Sequence, residues 1–436
     1  MISNLFSRHA KAGGAFAFFC FSCLLSSHAT AGWGPLAPGN GPDGLSLAGA
    51  DVALLNDATV FSVNPATLTD IKGETFTAYG AVYKFGNQKH KDSLGNRHYP
   101  SKDLLPVFGG AYAKALDDDS RVVVSFGGVA QGGVGYIYKG LTTEAGNQDR
   151  LSTEFGVFRV GPAIGWKATE RLSLGAVLNV NYAEIEQHIL PNTAIAANGD
   201  DPGFSGFALT GLSGLSYSFK VAANYQLTPK LRLSAVFANE TPLTLKGGDA
   251  ELNFSAQGLG KVKYDRAELA GLSFAREFNL GLKYEISQKL ELGVRLGWLD
   301  WSESFKRTQM RLGRASNPDA PQQLNASAPL DWQDQFPLAV ALRYQYSPRL
   351  TYTVAMSFVN DPIPKKTLEP TTALIATAHI GGGFAYRLDE QWEILGSVIH
   401  ILPNSKSYSI NGLPLGKHST ERMNFFGAEF GIRRRF

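Results

Sequence analysis

Side chains capable of bond-making chemistry are sparse in this chain. Six histidines lie in its body, His90, His98, His188, His379, His400 and His418, and only His418-Ser419 sets a base beside a hydroxyl. A hydrolase needs a Ser/His/acid or paired-acid constellation, and this scatter supplies none by spacing. No Gly-rich loop runs into Lys-Ser/Thr to cradle a phosphate. Both cysteines, Cys20 and Cys23, fall within the first 31 residues, so the remainder carries no thiol. The sequence therefore predicts no enzyme, no cofactor and no metal.

What the chain has in excess is apolar surface and glycine. Of 436 residues, 44% are hydrophobic and 11% aromatic, 18% are charged, and 47 are Gly. An ordinary soluble protein has roughly 25% charged residues and about 7% Gly. Disorder, collagen and a disulfide-stapled miniprotein are excluded, and no linker divides the chain. Residues 1–31 read as a signal peptide: Arg8 and Lys11 are followed by the apolar run Ala15–Leu25 and the small-x-small site Ala29-Thr30-Ala31. The apolar run is well short of the ~20 residues of a spanning helix. Without the two leader cations the count is 39 basic against 38 acidic residues (41 − 2 against 38), which predicts no nucleic-acid partner.

Beyond residue 31, period 2 dominates. Leu172, Leu174, Ala176, Leu178, Val180 and Tyr182 share one face opposite Arg171, Ser173, Gly175, Asn179 and Asn181. Leu290, Leu292, Val294, Leu296 and Trp298 oppose Lys289, Glu291, Gly293, Arg295 and Gly297, and alternation recurs through 217–227 and 350–358. Strands are predicted at 75–85, 105–116, 120–138, 151–167, 170–188, 211–227, 230–247, 263–286, 289–308, 332–346, 349–360, 372–388, 391–409 and 419–436. Tight turns (Asp117–Asp119, Ala168-Thr169, Thr228-Pro229, Ser287-Gln288, Ser347-Pro348, Asp389-Glu390) alternate with long connections. Fourteen strands with this alternation predict an all-β fold, a fourteen-stranded antiparallel transmembrane β-barrel with both termini periplasmic. Trp166, Tyr225, Tyr284, Tyr344, Tyr346 and Tyr386 precede short turns and Trp392 follows one, as an interfacial girdle would. A soluble β-sandwich would alternate equally well but has no reason to place its aromatics so.

Residues 32–73 do not alternate. Gly32–Asp43 is Gly/Pro-rich and Gly44–Leu55 suits one or two short helices, so the segment is either a hatch folded inside the lumen or a disordered leader. The organisation is then signal peptide 1–31, hatch 32–73 and barrel 74–436.

At the residue level the chain resembles one family. Gly49-Ala50-Asp51-Val52-Ala53, Asn56-Asp57-Ala58 and Asn64-Pro65-Ala66 are similar to the N-terminal hatch of the FadL/TodX transporters of long-chain fatty acids and hydrocarbons in Gram-negative outer membranes. Trp301-Ser302, Asn360-Asp361-Pro362-Ile363-Pro364 and the terminal Phe436, also an assembly-type signal of outer-membrane barrels, look like further marks. The resemblance implies passive uptake of a hydrophobic ligand, caught in an apolar groove of the third and fourth long loops and released sideways through a kinked third strand. It implies as partners the ligand, outer-membrane lipid and lipopolysaccharide, and the barrel-assembly machinery acting on the last strand, in a monomer. The loops would be 189–210 and 248–262, with Ile189, Leu190, Phe204, Phe207, Leu252 and Phe254 as groove residues unless they merely pack on one another. Gly127, Gly128, Gly132 and Gly133 would form the kink or simply admit the hatch, with Asn64, Pro65 and Ala66 beside it. An Arg expected after Ile185-Glu186 is replaced by Gln187, followed by His188; with Lys306 and Arg307, His188 is a candidate carboxylate contact. Gln187 leaves uncharged aromatic hydrocarbons open as the cargo. A general porin would need an open lumen, against which the apolar hatch argues.

Overall fold

The computed structural model describes residues 32–436 except 85–87, 102–103, 117–120 and 200. The predicted leader and the turn at Asp117–Asp119 lie outside the described residues. Fourteen antiparallel strands close into a barrel. In chain order they are β1 (Glu74–Lys84), β2 (Leu104–Ala115), β3 (Val122–Thr142), β4 (Gln148–Lys167), β5 (Leu172–Ile195), β6 (Phe204–Thr228) and β7 (Leu231–Ala238). There follow β8 (Glu277–Ser287), β9 (Leu290–Leu299), β10 (Leu338–Gln345), β11 (Leu350–Phe358), β12 (Ala378–Arg387), β13 (Trp392–Ser409) and β14 (His418–Arg435). The ring closes where β1 pairs with β14, from Thr75↔Arg435 to Lys84↔Phe426. Among the described residues no helix is long and apolar enough to cross a membrane.

The faces are inverted relative to a soluble sheet. Leu178, Tyr217, Val354 and Phe430 are 65%, 72%, 60% and 65% exposed, while Asn179, Asn181, Lys220, Asn224, Arg295, Arg343 and Arg433 are buried. A closed wall in hydrocarbon requires this, because the outer face meets lipid and the lumen takes the polar groups. The girdle residues Trp166, Tyr225, Tyr284, Tyr344, Tyr346 and Tyr386 are exposed at the short-turn end. Arg434, which breaks the apolar face of β14, lies over the rings of Trp392 and Phe436, 5.1 and 4.2 Å from their centroids.

Several strand limits differ from the sequence prediction. The run 230–247 is β7 plus Thr241–Lys246, and 263–286 is Gly260–Phe274 plus β8. The run 289–308 stops at Leu299, before a helical turn at Trp301–Ser304, and 332–346 and 372–388 begin later, at Leu338 and Ala378. Alternation reports which residues share a face and is blind to where a chain steps from the wall to a neighbouring sheet.

Residues 32–73 fill the lumen. Pro42 starts helix α1 (Gly41–Ser46), α2 (Asp51–Leu54) follows, and two 3₁₀ turns occupy Ala58–Ser62 and Pro65–Asp70. The Asp57 carboxylate caps the first of these turns by accepting from Thr59 N at 2.8 Å. Leu45, Leu47, Leu55, Phe61 and Leu68 are fully buried. The acids of this plug meet cations of the wall: Asp43 with Arg343 (2.6 Å) and Arg433 (3.1 Å), Asp57 with Arg433 (3.1 Å), Asp51 with Arg295 (3.2 Å), and Asp70 with Arg232. Lys220 Nζ donates to Ser62 O (2.9 Å) and Arg343 to Leu54 O (2.6 Å). Buried charges need such partners, so the polar lumen face doubles as the socket of the plug.

Candidate functional site: an apolar path from the mouth to an open seam

At the mouth the predicted loops 189–210 and 248–262 are largely strands. β5 runs on to Ile195 and β6 begins at Phe204, and Asp249–Phe254 pairs with both β6 and Gly260–Phe274. Ile189, Phe207, Leu252 and Val262 face one another rung by rung across four strands. Ile189, Leu190, Leu252 and Phe254 are buried, and Phe204 and Phe207 half-buried. Ile189, Phe207 and Leu252, three of the residues assigned to a groove, thus share one face of a sheet standing above the wall. Their alternation carried that signal, but Gly and Asn in the same stretch read as loop.

Below this sheet lies an aromatic cluster that the sequence reading did not single out. Phe155 and Phe274 stack at 6.2 Å, Trp301 meets Phe305 at 5.2 Å and Trp332 at 5.9 Å, and Phe305 meets Trp332 at 4.6 Å. Trp301 Nε1 donates to Gln335 Oε1 at 2.9 Å, which satisfies its polar edge in the interior. The hatch reaches the cluster through Gly34, where an added Cβ would come within 3.1 Å of Trp332 and 3.2 Å of Trp301. Trp33 then stacks on Arg295, the guanidinium 4.2 Å from the ring centroid. Phe274, Trp301, Phe305 and Trp332 lie outside the fourteen wall strands while Phe155 faces them from β4, a placement visible in sequence only once the strand exits are known.

The path ends where the wall is incomplete. β2 pairs with β3 only from Ala115↔Val123 to Gly110↔Gly128. Above that rung Leu104–Gly109 of β2 pairs with β1, and the only wall strand that β3 pairs with from Val129 onward, among the described residues, is β4, until Ser101 N donates to Ile137 O at 2.7 Å near the top. Pro106, which has no N–H to donate, occupies this open edge. β3 carries a bulge between Ala130 and Gly132, and alternation is lost from Gly127 to Val134, all of which are buried. Hatch backbone takes the place of β2: Gly133 N donates to Pro35 O at 2.8 Å and Ala37 N to Gln131 O at 3.3 Å. A Cβ on Gly132 would fall 1.9 Å from Pro35 O, and one on Gly127 would fall 2.4 Å from the Phe61 ring. The glycines admit the hatch at close approach, and the bulge lies in the same stretch of β3. Gly128 faces the Phe158 ring.

Asn64, Pro65 and Ala66 do not sit at the opening. Asn64 donates to Val52 O and to Asn224 Oδ1, both at 2.9 Å, and the Pro65–Ala66 peptide rests on Gly165 and Gly175 of β4 and β5. The amide of Asn224 on β6 draws this turn to that wall, and the hatch residues against β3 at the opening are Pro35–Ala37 and Phe61. Nor do the candidate cations enter the lumen. Lys306 is 65% exposed and pairs with Glu303 at 3.9 Å, Arg307 is exposed, and His188 lies 3.5 Å from Glu186. Gln187 donates to Thr153 Oγ1 at 3.2 Å. The cations that do face the path are Arg159, Lys220 and Arg295, around a cavity of about 50 Å³ shared with Asp51, Glu277 and Gln131. Arg159 donates to Asn181 at 3.4 Å, and neither it nor Lys220 has a carboxylate within ion-pair distance among the described residues.

A family profile described as outer membrane protein transport protein (OMPP1/FadL/TodX) matches residues 39–402. The fold is similar to the toluene transporter TbuX of Ralstonia pickettii (17% identity, 92% of this chain and 99% of that one, TM-score 0.73). It is similar also to the toluene transporter TodX of Pseudomonas putida (16%, 92% and 99%, 0.75) and to a FadL homologue of Pseudomonas aeruginosa (15%, 92% and 99%, 0.69). No curated protein sequence matches the chain.

Proposed function

Because this chain belongs to the OMPP1/FadL/TodX family of outer-membrane transport proteins, a family of hydrophobic-compound channels, we propose how its own residues move such a compound. The ligand enters among the apolar rows above the wall, passes the Phe155–Trp332 cluster and the Trp33–Leu36 turn of the hatch, and leaves sideways between β2 and β3. The observation that carries this reading is the end of β2–β3 pairing at Gly110↔Gly128. Burial favours entry by about 0.8 kcal/mol per CH2, and a lipid-facing exit returns it, so no coupled energy source is needed. The hatch stays seated, because its acids are paired with the wall.

Long-chain fatty acids or similar lipids are the first cargo class, since Arg159 and Lys220 beside the path have no carboxylate within ion-pair distance among the described residues, although Asp51 and Glu277 share their cavity. Uncharged aromatic hydrocarbons are the second, favoured by Gln187 and by the position of Lys306 and Arg307 outside the lumen. Uptake of labelled oleate and of toluene should be measured in cells lacking their own channels. Deleting Gln131, the residue that makes the bulge, is expected to let β2 and β3 pair and to cut uptake of the true cargo at least tenfold, with heat-modifiable gel mobility reporting a folded barrel. Unchanged uptake by a folded deletion variant would overturn the lateral route. Arg159→Gln with Lys220→Gln should lower oleate uptake selectively if the cargo is a carboxylate and leave toluene uptake intact.

A further inference from the structure

A second feature has no part in this route. Above the lipid belt on the far side of β1, the short strands Lys89–Lys91 and Arg97–His98 extend the sheet beside the upper end of β14. β14 alternates without interruption, and its outward residues are Ile432, Phe430, Ala428, Phe426, then Asn424 and Arg422. The face that meets hydrocarbon at Phe430 and Phe426 therefore turns cationic one rung beyond Asn424. Lys89 stands opposite Arg422, and Lys91 stands opposite both Thr420 and Arg97. Lys84, opposite Phe426, begins the cluster at the belt edge.

Charge here is sorted by face. The acids of these elements, Glu421 and Asp92, point inward and close on the buried His90, at 2.5 and 3.3 Å. Lys84, Lys91, Arg97 and Arg422 are exposed, and none has a carboxylate within ion-pair distance among the described residues. Lys89 is half-buried, its ammonium 4.9 Å from the Tyr99 ring centroid. Ser405, Ser407 and Thr420 fill the remaining outward positions. Like charges directly opposite each other in a ladder repel, so four cations in facing register are unfavourable unless an anion lies over them. Basic clusters at a membrane surface recruit anionic head groups, each cation adding roughly fivefold in affinity.

We propose that this outward face binds the phosphate-bearing head group of the outer-leaflet glycolipid, lipopolysaccharide, with Lys91, Arg97 and Arg422 as the principal phosphate contacts. Its height fits that occupant, because Arg422 lies four residues, roughly 13 Å of strand, beyond the last lipid-facing Phe426. The site is independent of the transport route, so either proposal can fail alone.

The full barrel in neutral detergent, titrated with lipopolysaccharide and followed by native mass spectrometry, tests it. The triple variant Lys91→Gln, Arg97→Gln, Arg422→Gln is expected to lose tenfold to a hundredfold in affinity, and wild type to lose as much toward enzymatically dephosphorylated lipopolysaccharide. A control triple at the short-turn end, Arg171→Gln, Lys230→Gln, Arg349→Gln, should bind as wild type, and Lys91→Arg, Arg97→Lys, Arg422→Lys should retain binding. Triple-variant binding within twofold of wild type, indifference to dephosphorylation, or equally tight binding of phosphatidylglycerol would each overturn the assignment. Heat-modifiable mobility of every variant keeps misfolding from passing as lost affinity.

Discussion

Two seams flank the hairpin of β1 and β2, and they are built by opposite rules. The β1–β14 seam is paired along all of β1 from Thr75 to Lys84 and continues upward through Lys89–Lys91. The β2–β3 seam stops halfway, at Gly110↔Gly128. Side chains pinning the first seam are charged or hydrogen-bonded: Arg433 bridges Asp43, Asp57 and Glu393, Tyr83 donates to Glu429, and His90 meets Glu421. The second is held by apolar and backbone contacts of the hatch, Phe61 against Gly127 and Pro35–Ala37 against Gln131–Gly133. The lesson is that a barrel can carry an opening if the remaining seams are over-determined and a plug supplies the hydrogen bonds the missing neighbour would have made.

The largest effect is expected from breaking the complete seam. Ala81 has partners on both sides, Glu429 on β14 and Val107 on β2, so Ala81→Pro loses a ladder bond whichever way its N–H points and should yield no heat-modifiable barrel. Pro106, one strand away on the open edge, is tolerated for the same reason inverted. A folded Ala81→Pro barrel would show that the two edges are not different in kind.

Next in size is Arg433→Gln, which leaves Asp43 and Asp57 without this partner in the interior. A loss of about 3–5 kcal/mol is expected in chemical denaturation, with the hatch becoming protease-sensitive first. A midpoint equal to wild type would mean that the plug is not held through this seam.

The top of the complete seam should be sensitive to alkali. Burial pushes the His90 imidazole down, but its hydrogen bonds to Asp92 and Glu421 outweigh that and raise it to about 9. Tyr408, which donates to Glu421 at 3.1 Å, and the Tyr138 ring, 6.0 Å away, complete its surroundings. A group whose folded value is raised stabilises fully below its unfolded value near 6.5 and loses that contribution as pH climbs through 9, here up to about 3 kcal/mol. Hydrogen exchange at 89–98 and 418–424, corrected for its intrinsic pH dependence, should rise between pH 7 and 10 and stay flat at the β2–β3 seam. Flat exchange at both would remove the ion pair from the account.

The smallest effect concerns the open seam itself. Gly127→Ala sets a methyl 2.4 Å from Phe61 and 2.7 Å from Ala111, and a cost of about 1–3 kcal/mol is expected. Phe61→Leu in the same chain should recover part of it. Additive losses in the double variant would show that Phe61 does not seat on β3.

Much of the wall could be read directly. The girdle from Trp166 to Tyr386, the outward Leu178, Tyr217 and Val354 and the inward Asn181 and Arg295 follow from period 2, because in lipid the strand must present one apolar face. The fourteen strands followed from the same alternation. Less legible were the strand exits, where Trp301 turns and Gly260–Phe274 joins another sheet, since alternation continues across both. His188, Lys306 and Arg307 were sought as interior cations through likeness of motif, but the cations facing the path, Arg159 and Lys220, carry no local signal beyond lying on the polar face.

By itself the sequence determined the architecture, since the solvent on each side of a strand dictates the residue types of that face. It also placed the run of glycines in β3 where something unusual had to happen. Only the tertiary structure decided what that was, because whether β3 bonds to β2 or to Pro35–Ala37 depends on a competition between two backbones more than sixty residues apart. Neither partner's local pattern records which of them wins.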